Sequence, residues 1–464
     1  MDLSQTYDVV IAGGGNAALC AAITAARAGR SVIVLEAAPE FYRGGNSRHT
    51  RNLRCVQVGD APTMTGRYED SEFLDDLVRV TEGQTDALLA QITIKRSREL
   101  PGWLGKQGVR FGPPLGGTLG LDRTNAFFLG GGRGELNALY RAAERLGVTL
   151  LYDAPVIALS IVDGFFNSAT ITYQGQPREI RGRGLIAAAG GFEANIEWLK
   201  RYWGEAADNF IIRGTPYNRG DVLRMLLEKG VMPVGDATQF HAVALDARSP
   251  KFDGGIATRL DCIIFGIVVN NNAVRFYDEG EDLWPKRYAI WGRLIAQQPG
   301  QAAYSIIDSK SIRAFMPSIY PAIEAPSITE LGAKLGLNAR VLELTVAKFN
   351  AAVREGRFDP HTLDDCQTEG LDPPKSHWAR AIDTPPFYGY PLRPGITFTY
   401  LGVKVDAQSR MVMGDGKPSA NMYAAGEIMA GNVLGKGYLA GIGMTIGSVF
   451  GRIAGEEAAA HARN

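Results

Sequence analysis

The segment from Tyr7 to Glu36 holds two short apolar runs that are separated by a glycine-rich turn and an alanine-rich stretch. The first run, residues 8–12, predicts a buried parallel strand, and the second, residues 31–35, predicts another. The alanine-rich stretch predicts a helix that continues to about Ala28 and stops at the glycine that follows. A strand, a tight turn, a helix and a second strand in this order predict an α/β fold with a parallel sheet.

The turn between the first strand and the helix, residues 13–18, has a pattern that suits a dinucleotide. Gly13 allows the sharp turn, Gly15 lets the backbone approach a pyrophosphate, and Ala18 is small enough for helix–sheet packing. The helix N-terminus offers unpaired N–H groups and a positive dipole end to phosphates. Glu36, at the end of the second strand, can accept hydrogen bonds from a ribose. We therefore predict a dinucleotide site at this turn.

Composition excludes several other classes of protein. A chain of 464 residues is too long for one compact core, so we expect two or more domains. Lys+Arg and Asp+Glu are equal at 49 each, so the charge gives no argument for nucleic-acid binding. No apolar run approaches about 18 residues, and the first strand starts too early to leave room for a signal peptide. The sequence also carries no argument for a particular oligomeric state.

The cysteines predict a reducing compartment. The chain has four, Cys20, Cys55, Cys262 and Cys366, and none of them forms a CxxC pair. This scatter favours neither disulfides nor a metal site, so we expect a cytoplasmic protein without a bound metal.

Three more glycine-rich segments follow the first turn. They are Gly44–Ser47, Ala188–Gly191 and Tyr423–Gly431. Each would place bare backbone beside a ligand.

The middle of the chain differs in character, since it is richer in Pro, Trp, Tyr and His. There we predict an inserted second domain, which divides the chain into residues 1–235, 236–394 and 395–464. Within the insert, residues 263–277 predict a hairpin around three asparagines.

The four glycine-rich segments together resemble those of the fumarate reductase/succinate dehydrogenase flavoprotein family. The resemblance implies a Rossmann-like FAD-binding domain of the glutathione-reductase type, interrupted by an α+β cap domain. Some members of the family link FAD covalently through a histidine. When the glycines are aligned, Asn46 stands at the linking position, and His49, which resembles the linking histidine, lies three positions later. We therefore expect dissociable FAD. The implied FAD contacts are Gly13, Gly15, Asn16, Ala17, Ala18, Glu36, Ala37, Gly44, Gly45, Asn46, Ser47, Pro155, Val156, Ala189, Gly190, Gly426, Glu427, Gly441, Met444, Thr445 and Ile446.

Longer segments, among them residues 275–294 and 394–406, are similar to those of the tricarballylate dehydrogenases within this family. This implies oxidation of tricarballylate to cis-aconitate, with hydride transfer to flavin N5 and proton abstraction by an active-site base. It also implies a membrane-associated electron-transfer protein or the quinone pool as electron acceptor, at the inner membrane surface. A fumarate or enoate reductase, and a ketosteroid- or corrinoid-type flavin oxidoreductase of the same fold, stay open as alternatives.

Family motifs imply the substrate residues. His241 closes a Gln-x-His motif whose histidine binds a substrate carboxylate in the family. Arg287 follows an Arg-Phe-x-x-Glu motif, and in fumarate reductases an arginine shortly after this motif exchanges a proton with the substrate. Lys436 stands near the position of a carboxylate-binding arginine, and Tyr438 resembles the proton-transferring tyrosine of ketosteroid dehydrogenases. We expect catalysis by Arg287, Tyr438 and His241. The candidate anchors for substrate carboxylates are His241, Arg287, Lys436, Arg259, Arg213 and Thr399.

Overall fold

A computed structural model describes residues 3–115 and 121–462. The helices in these residues are α1 Asn16–Arg27, α2 Asp70–Thr81, α3 Ala87–Ser97, α4 Leu100–Lys106, α5 Gly131–Arg145, α6 Ile196–Trp203, α7 Asp221–Glu228, α8 Trp284–Arg287, α9 Trp291–Ala296, α10 Ile328–Lys334, α11 Ala339–Ala352 and α12 Ile442–His461. The strands are β1 Thr6–Ala12, β2 Val32–Leu35, β3 Asn52–Arg54, β4 Asn125–Phe127, β5 Thr149–Leu151, β6 Val156–Val162, β7 Phe165–Tyr173, β8 Gln176–Ala187, β9 Ile211–Ile212, β10 Pro233–Val234, β11 Phe240–Asp246, β12 Ile267–Asn270, β13 Ala303–Asp308, β14 Ile323–Ala325, β15 Val353–Arg354, β16 Gln367–Thr368, β17 Phe387–Thr399, β18 Gly402–Val403, β19 Arg410–Val412 and β20 Pro418–Ala424.

The large sheet has a parallel centre, in the order β5-β2-β1-β8-β20, and β19 pairs antiparallel with β20 at one edge. The antiparallel strands β6 and β7 extend it beside β8. Ala12 at the end of β1 pairs with Leu35 at the end of β2. The carboxyl ends of parallel strands are where α/β proteins bind ligands, and this register brings Gly13 and Glu36 to the same edge. The predicted α/β fold is confirmed.

Helices α1 and α12 pack closely on one face of the large sheet. A side chain at Gly451 would bring its Cβ within 2.4 Å of the Ala17 carbonyl oxygen, so this position of α12 needs glycine. Asn16 Nδ2 donates to the Met444 carbonyl oxygen at 3.1 Å and to Ser448 Oγ at 3.0 Å. These contacts hold the N-terminal ends of both helices side by side. No helix within the described ranges is both long and apolar enough to cross a membrane.

The small sheet lies in the middle of the chain, in the order β11-β17-β13-β12, with β14 and β9 also paired to β17. Apolar residues of its strands form a core with α9, including Leu245, Leu294 and Leu392. β9 precedes residue 236 and β17 runs past residue 394, so this sheet takes strands from both flanks of the predicted insert. The three-part division of the chain stays a prediction.

Most sequence-predicted elements are confirmed. The first strand, helix and second strand are β1, α1 and β2. The prediction of a hairpin at residues 263–277 is wrong in its second strand. β12 ends at Asn270, and only a single bridge joins Val269 to Arg275. β12 pairs instead with β13, because this partner completes a sheet with β17 and buries both faces.

Candidate functional site

An elongated cavity of about 1140 Å³ runs along the carboxyl edge of the large sheet. We call it the cofactor cavity. Its lining is rich in backbone and small side chains from the four glycine-rich segments. The lining residues include Gly13–Ala17, Leu35–Ala37, Gly44–Ser47, Thr50, Pro155, Val156, Ala188–Gly190, Tyr217–Val222, Thr397, Phe398, Ala425–Glu427, Tyr438, Gly443, Met444 and Gly447.

The turn after β1 leaves no space for side chains toward the sheet. Gly13 has a φ of 109°, and a Cβ there would lie 2.3 Å from the Ala188 carbonyl oxygen. A Cβ at Gly14 would lie 2.4 Å from Glu36 Oε2 and 2.5 Å from the Tyr140 hydroxyl. The backbone of the turn is therefore packed against its neighbours, with its N–H groups at the start of α1, which fits a pyrophosphate.

Glu36 connects the end of β2 to the second glycine-rich segment. Its Oε1 accepts from Ala38 N at 2.9 Å, and its Oε2 accepts from Gly44 N at 3.1 Å. Burial raises the pKa of this carboxyl, and the backbone N–H groups of Ala38 and Gly44 oppose the rise. Each oxygen keeps a lone pair toward the cavity, which fits the predicted ribose contact. Ser47 Oγ also accepts from Asn16 N at 3.1 Å, so this segment touches the start of α1.

A second cavity of about 580 Å³ adjoins the first, and we call it the cationic cavity. Its lining residues come from eight segments that are far apart in sequence: before and within β3, before β4, after β9, within β11, after β11, after α8, within β17, and around the start of α12. The lining residues are Asn46, His49, Thr50, Arg51, Asn52, Leu121, Arg213, His241, Arg259, Tyr288, Thr397, Tyr438, Ala440, Gly441 and Met444. Asn46, Thr50, Thr397, Tyr438 and Met444 line both cavities and form a shared wall.

Two guanidinium groups in this cavity lack a counter-ion. Arg51 makes no side-chain hydrogen bond or ion pair with any residue in the described ranges, and Arg213 only donates Nε to the Gly255 carbonyl oxygen at 3.2 Å. Burial, and then the nearby charge of Arg259, lower the pKa of Arg51 and bring that of Arg213 to about 10. A desolvated, uncompensated positive charge favours binding of an anion.

Arg259 differs, because it is already paired. Its Nε donates to Asp261 Oδ1 at 3.0 Å and its second nitrogen donates to Oδ2 at 2.7 Å. Trp284 Nε1 also donates to Asp261 at 3.0 Å. The pair carries no net charge, so the net positive charge of the cavity comes from Arg51 and Arg213.

His241 and Tyr438 stack in parallel, with ring centroids 3.8 Å apart and an angle of 2°. Burial, followed by the charges of Arg213 and Arg259, holds the pKa of His241 well below its usual range, so its imidazole is neutral. Burial raises the pKa of Tyr438, so its phenol is neutral too. His241 Nδ1 has no hydrogen-bond partner within the described part of the chain. The stacked pair therefore offers a free imidazole nitrogen, not a cation.

His49 lies in the cationic cavity, where burial and then Arg48 and Arg213 lower its pKa to about 4. It is neutral at neutral pH.

The structure brings together many of the sequence-predicted residues. Most predicted FAD contacts line the cofactor cavity, Gly441 lines the cationic one, and Met444 lines both. Ala18, Thr445 and Ile446 are buried behind these walls, where Thr445 Oγ1 donates to the Arg54 carbonyl oxygen at 2.5 Å. Thr399 is also behind the wall, where it contacts Glu427.

Lys436 and Arg287 are not among the residues that line the cationic cavity, and their roles as substrate anchors stay predictions. Lys436 Nζ pairs with Glu82 Oε2 at 2.5 Å on the surface, because Gly435 N donates to the Gln84 carbonyl oxygen and turns this segment outward. Arg287 forms a short ion pair with Glu281.

Sequence reasoning missed Arg51, Asn52 and Tyr288. Arg51 lies two positions after His49, and its place close behind the glycine-rich segment Gly44–Ser47 was the available signal. Tyr288 had none.

Comparison with known proteins agrees with this geometry. A model of the FAD binding domain family matches residues 8–444. The NADH:acrylate oxidoreductase of Vibrio harveyi is 25% identical over 534 residues, which cover 98% of this chain and 50% of that protein. The chain therefore spans half the length of that relative. The fumarate reductase (cytochrome) of Shewanella frigidimarina is 24% identical over 99% of this chain and 78% of its own length.

The fold is also that of a solved structure. The 3-ketosteroid delta1-dehydrogenase from Sterolibacterium denitrificans gives a TM-score of 0.75 at 18% identity and covers 98% of this chain and 100% of its own. The family match spans both flanks of the cofactor cavity, and the glycine turn, Glu36 and the start of α12 fit a dinucleotide. The chain therefore belongs to the FAD binding domain family, as a flavoprotein of the fumarate reductase/succinate dehydrogenase type with FAD as its cofactor.

Proposed function

We propose that this protein is an FAD-dependent oxidoreductase that acts on a CH–CH bond of a small polycarboxylate, with tricarballylate as the first candidate. One observation carries the proposal: a cavity with two uncompensated guanidinium groups shares a wall with the cofactor cavity. A substrate held there would lie next to FAD, which supplies a hydride acceptor when bound.

The number of charges favours a substrate with at least two carboxylates. Arg51 and Arg213 can each bind one carboxylate, in the bidentate geometry that guanidinium groups prefer. Arg259 can offer its remaining N–H groups to a third while it stays paired with Asp261. A tricarboxylate matches these three positions, and a dicarboxylate matches the two unpaired ones.

The same arginines would make proton removal easier. A carbon next to a carboxylate loses a proton more readily when cations hold that carboxylate, because they stabilise the developing negative charge. His241 is the base that we propose, since it lines the cationic cavity and its imidazole is neutral. A bound polyanion would offset the charges of Arg213 and Arg259, which raises the pKa of His241 toward the value that a base needs. Tyr438, stacked on His241, is the second candidate.

The test is anaerobic mixing of the FAD-loaded protein with tricarballylate while the flavin band near about 450 nm is followed. We expect loss of this band with tricarballylate, slower or no loss with succinate, and none with a ketosteroid. Arg213→Gln should retain FAD and lose the response, whereas the surface variant Arg181→Gln should keep it. A protein that holds FAD but does not respond to tricarballylate would contradict the substrate.

The reverse reaction is a second candidate. A relative of this chain is named for acrylate and another for fumarate, and the cationic cavity would bind an unsaturated carboxylate equally well. In this case pre-reduced protein would be reoxidised by fumarate, acrylate or cis-aconitate without oxygen. A cytochrome or quinone would then exchange electrons with the protein in either direction. A steroid or corrinoid substrate would need an apolar cavity in place of Arg51 and Arg213.

A further inference from the structure

Two carboxyl groups, those of Glu193 and Glu427, meet behind the wall of the cofactor cavity without a cation. Glu193 is fully buried, and Glu427 lines the cavity itself. Phe192 N, one residue before Glu193, donates to Thr399 Oγ1 at 3.2 Å, and Thr399 N donates to Glu427 Oε1 at 2.8 Å, so the two carboxyl groups are neighbours across one threonine. Neither forms an ion pair with an arginine, lysine or histidine in the described ranges.

Glu193 is the acceptor at the centre of a small network. Its Oε1 accepts from Asn46 Nδ2 at 2.5 Å and from Asn218 Nδ2 at 2.7 Å. Its Oε2 receives no N–H group, and the Glu427 carboxyl is the group beside it. Both asparagines line the cofactor cavity, so Glu193 supports that cavity from behind.

Glu427 is held from the other side by Thr399. Its Oε1 accepts from Thr399 N at 2.8 Å and from Thr399 Oγ1 at 3.3 Å. Two ionised carboxylates can only accept hydrogen bonds, so their contact requires a proton between them. Burial raises the pKa of both groups, and the charge of Glu193 raises that of Glu427 further. The proton therefore resides on Glu427, and Glu193, whose Oε1 accepts from two amide N–H groups, carries the charge.

We propose that Glu193 and Glu427 share one proton and act as a positioning unit that fixes Asn46 and Asn218 in the wall of the cofactor cavity. The proton replaces a counter-cation, because it lets one negative charge be buried where two would repel each other. That charge orients the two asparagine amides, so that their N–H groups point away from the cavity.

Asn46 connects the carboxyl pair to the wall between the two cavities. Its Nδ2 also donates to the Thr397 carbonyl oxygen at 2.8 Å, and its Oδ1 accepts from Thr215 N at 2.8 Å. All polar atoms of the Asn46 side chain are therefore engaged. Since Asn46 and Thr397 belong to the shared wall, the carboxyl pair also sets the boundary between cofactor and cationic cavities.

The other titratable groups that act on the pair are two tyrosines. Burial raises the pKa of the Tyr400 and Tyr438 phenols, and the charge of Glu427 raises both further. The two phenols therefore stay neutral. No group within the described ranges thus competes with the shared proton as a charge partner.

Infrared spectroscopy of the FAD-loaded protein at neutral pH tests the sharing directly, because a protonated carboxyl has its own carbonyl band. We expect Glu427→Gln to remove one band and the double variant to remove no more, because the pair holds only one proton. Glu193→Gln takes away the partner charge but leaves Glu427 buried, so the band of Glu427 should shift in frequency. Glu135→Gln is the matched control: Glu135 is buried without a partner and its pKa is raised by burial, so its loss removes a separate band. A band that survives in Glu427→Gln and is lost in the double variant, or a Glu427 band that Glu193→Gln leaves unchanged, would overturn the sharing.

The positioning part is tested by FAD affinity. In Glu193→Gln, a neutral amide replaces the charged acceptor of both asparagines, so the FAD dissociation constant should rise about tenfold. An unchanged constant would overturn the positioning role. If the single variants do not fold, the carbonyl band of the wild-type protein is followed during a pH titration. Loss of the band at alkaline pH supports the shared proton, and loss in the ordinary pH range of carboxyl groups contradicts it.

Discussion

The two cavities are built in opposite ways although they share a wall. The cofactor cavity is made of backbone and small side chains from a few contiguous glycine-rich segments. The cationic cavity is made largely of long side chains that eight distant segments bring together. The first is fixed by local backbone geometry, and the second depends on how the small sheet packs against the large one. A change of residue should therefore affect the two cavities differently.

The largest expected effect is at the turn of the cofactor cavity. Gly13→Ala would place a Cβ against the Ala188 carbonyl oxygen in a backbone conformation that strains any side chain, so we expect loss of FAD binding. The ratio of flavin to protein absorbance measures this. Gly102→Ala is the control, since a Cβ there meets nothing within 4 Å and α4 gains helix propensity. Equal FAD content in the two variants would contradict the backbone account.

The next effect concerns the cationic cavity alone. Arg51→Gln and Arg213→Gln should each weaken polycarboxylate binding about 100-fold with FAD content unchanged, because each removes a buried charged donor. Calorimetric titration of the holoprotein measures this. Arg287→Gln sharpens the comparison: if it costs as much as Arg213→Gln, the sequence-based role of Arg287 is right and the cavity is misassigned.

Stability in acid should reflect the cationic cavity as well. The folded pKa of His49, about 4, is below its unfolded value. The unfolded state therefore binds a proton first as the pH falls, and the protein should lose about 2 kcal/mol of unfolding free energy between pH 7 and pH 5 from this residue. Urea unfolding at both pH values would show a smaller loss in His49→Asn. His241 acts in the same direction.

The smallest effect is proton uptake on ligand binding. A bound polyanion offsets the arginines that lower the pKa of His49 and His241, so binding at about pH 6 should take up a fraction of a proton. Titration calorimetry in buffers of different ionisation enthalpy measures the uptake. Proton release, or uptake that His49→Asn and His241→Gln both leave unchanged, would show that the ligand binds elsewhere.

How much the sequence could predict follows from the same contrast. Gly13, Glu36 and Gly44 lie in segments whose spacing encodes their own geometry, so the α/β fold and the cofactor cavity were predictable. Arg51 and Arg213 are 162 positions apart in the numbering, one before β3 and the other after β9, and only the tertiary fold brings them to one cavity. The sequence around Lys436 suggested that it binds a substrate carboxylate. Its ion pair with Glu82 depends on the end of α2, which is distant in sequence.

A crystal structure of the FAD complex with tricarballylate tests the central claim most directly. The account predicts carboxylates against the guanidinium groups of Arg51 and Arg213, with a carbon of the ligand facing His241 across from the cofactor. Tricarballylate bound at Lys436 or Arg287, with the cationic cavity holding only solvent, would contradict it.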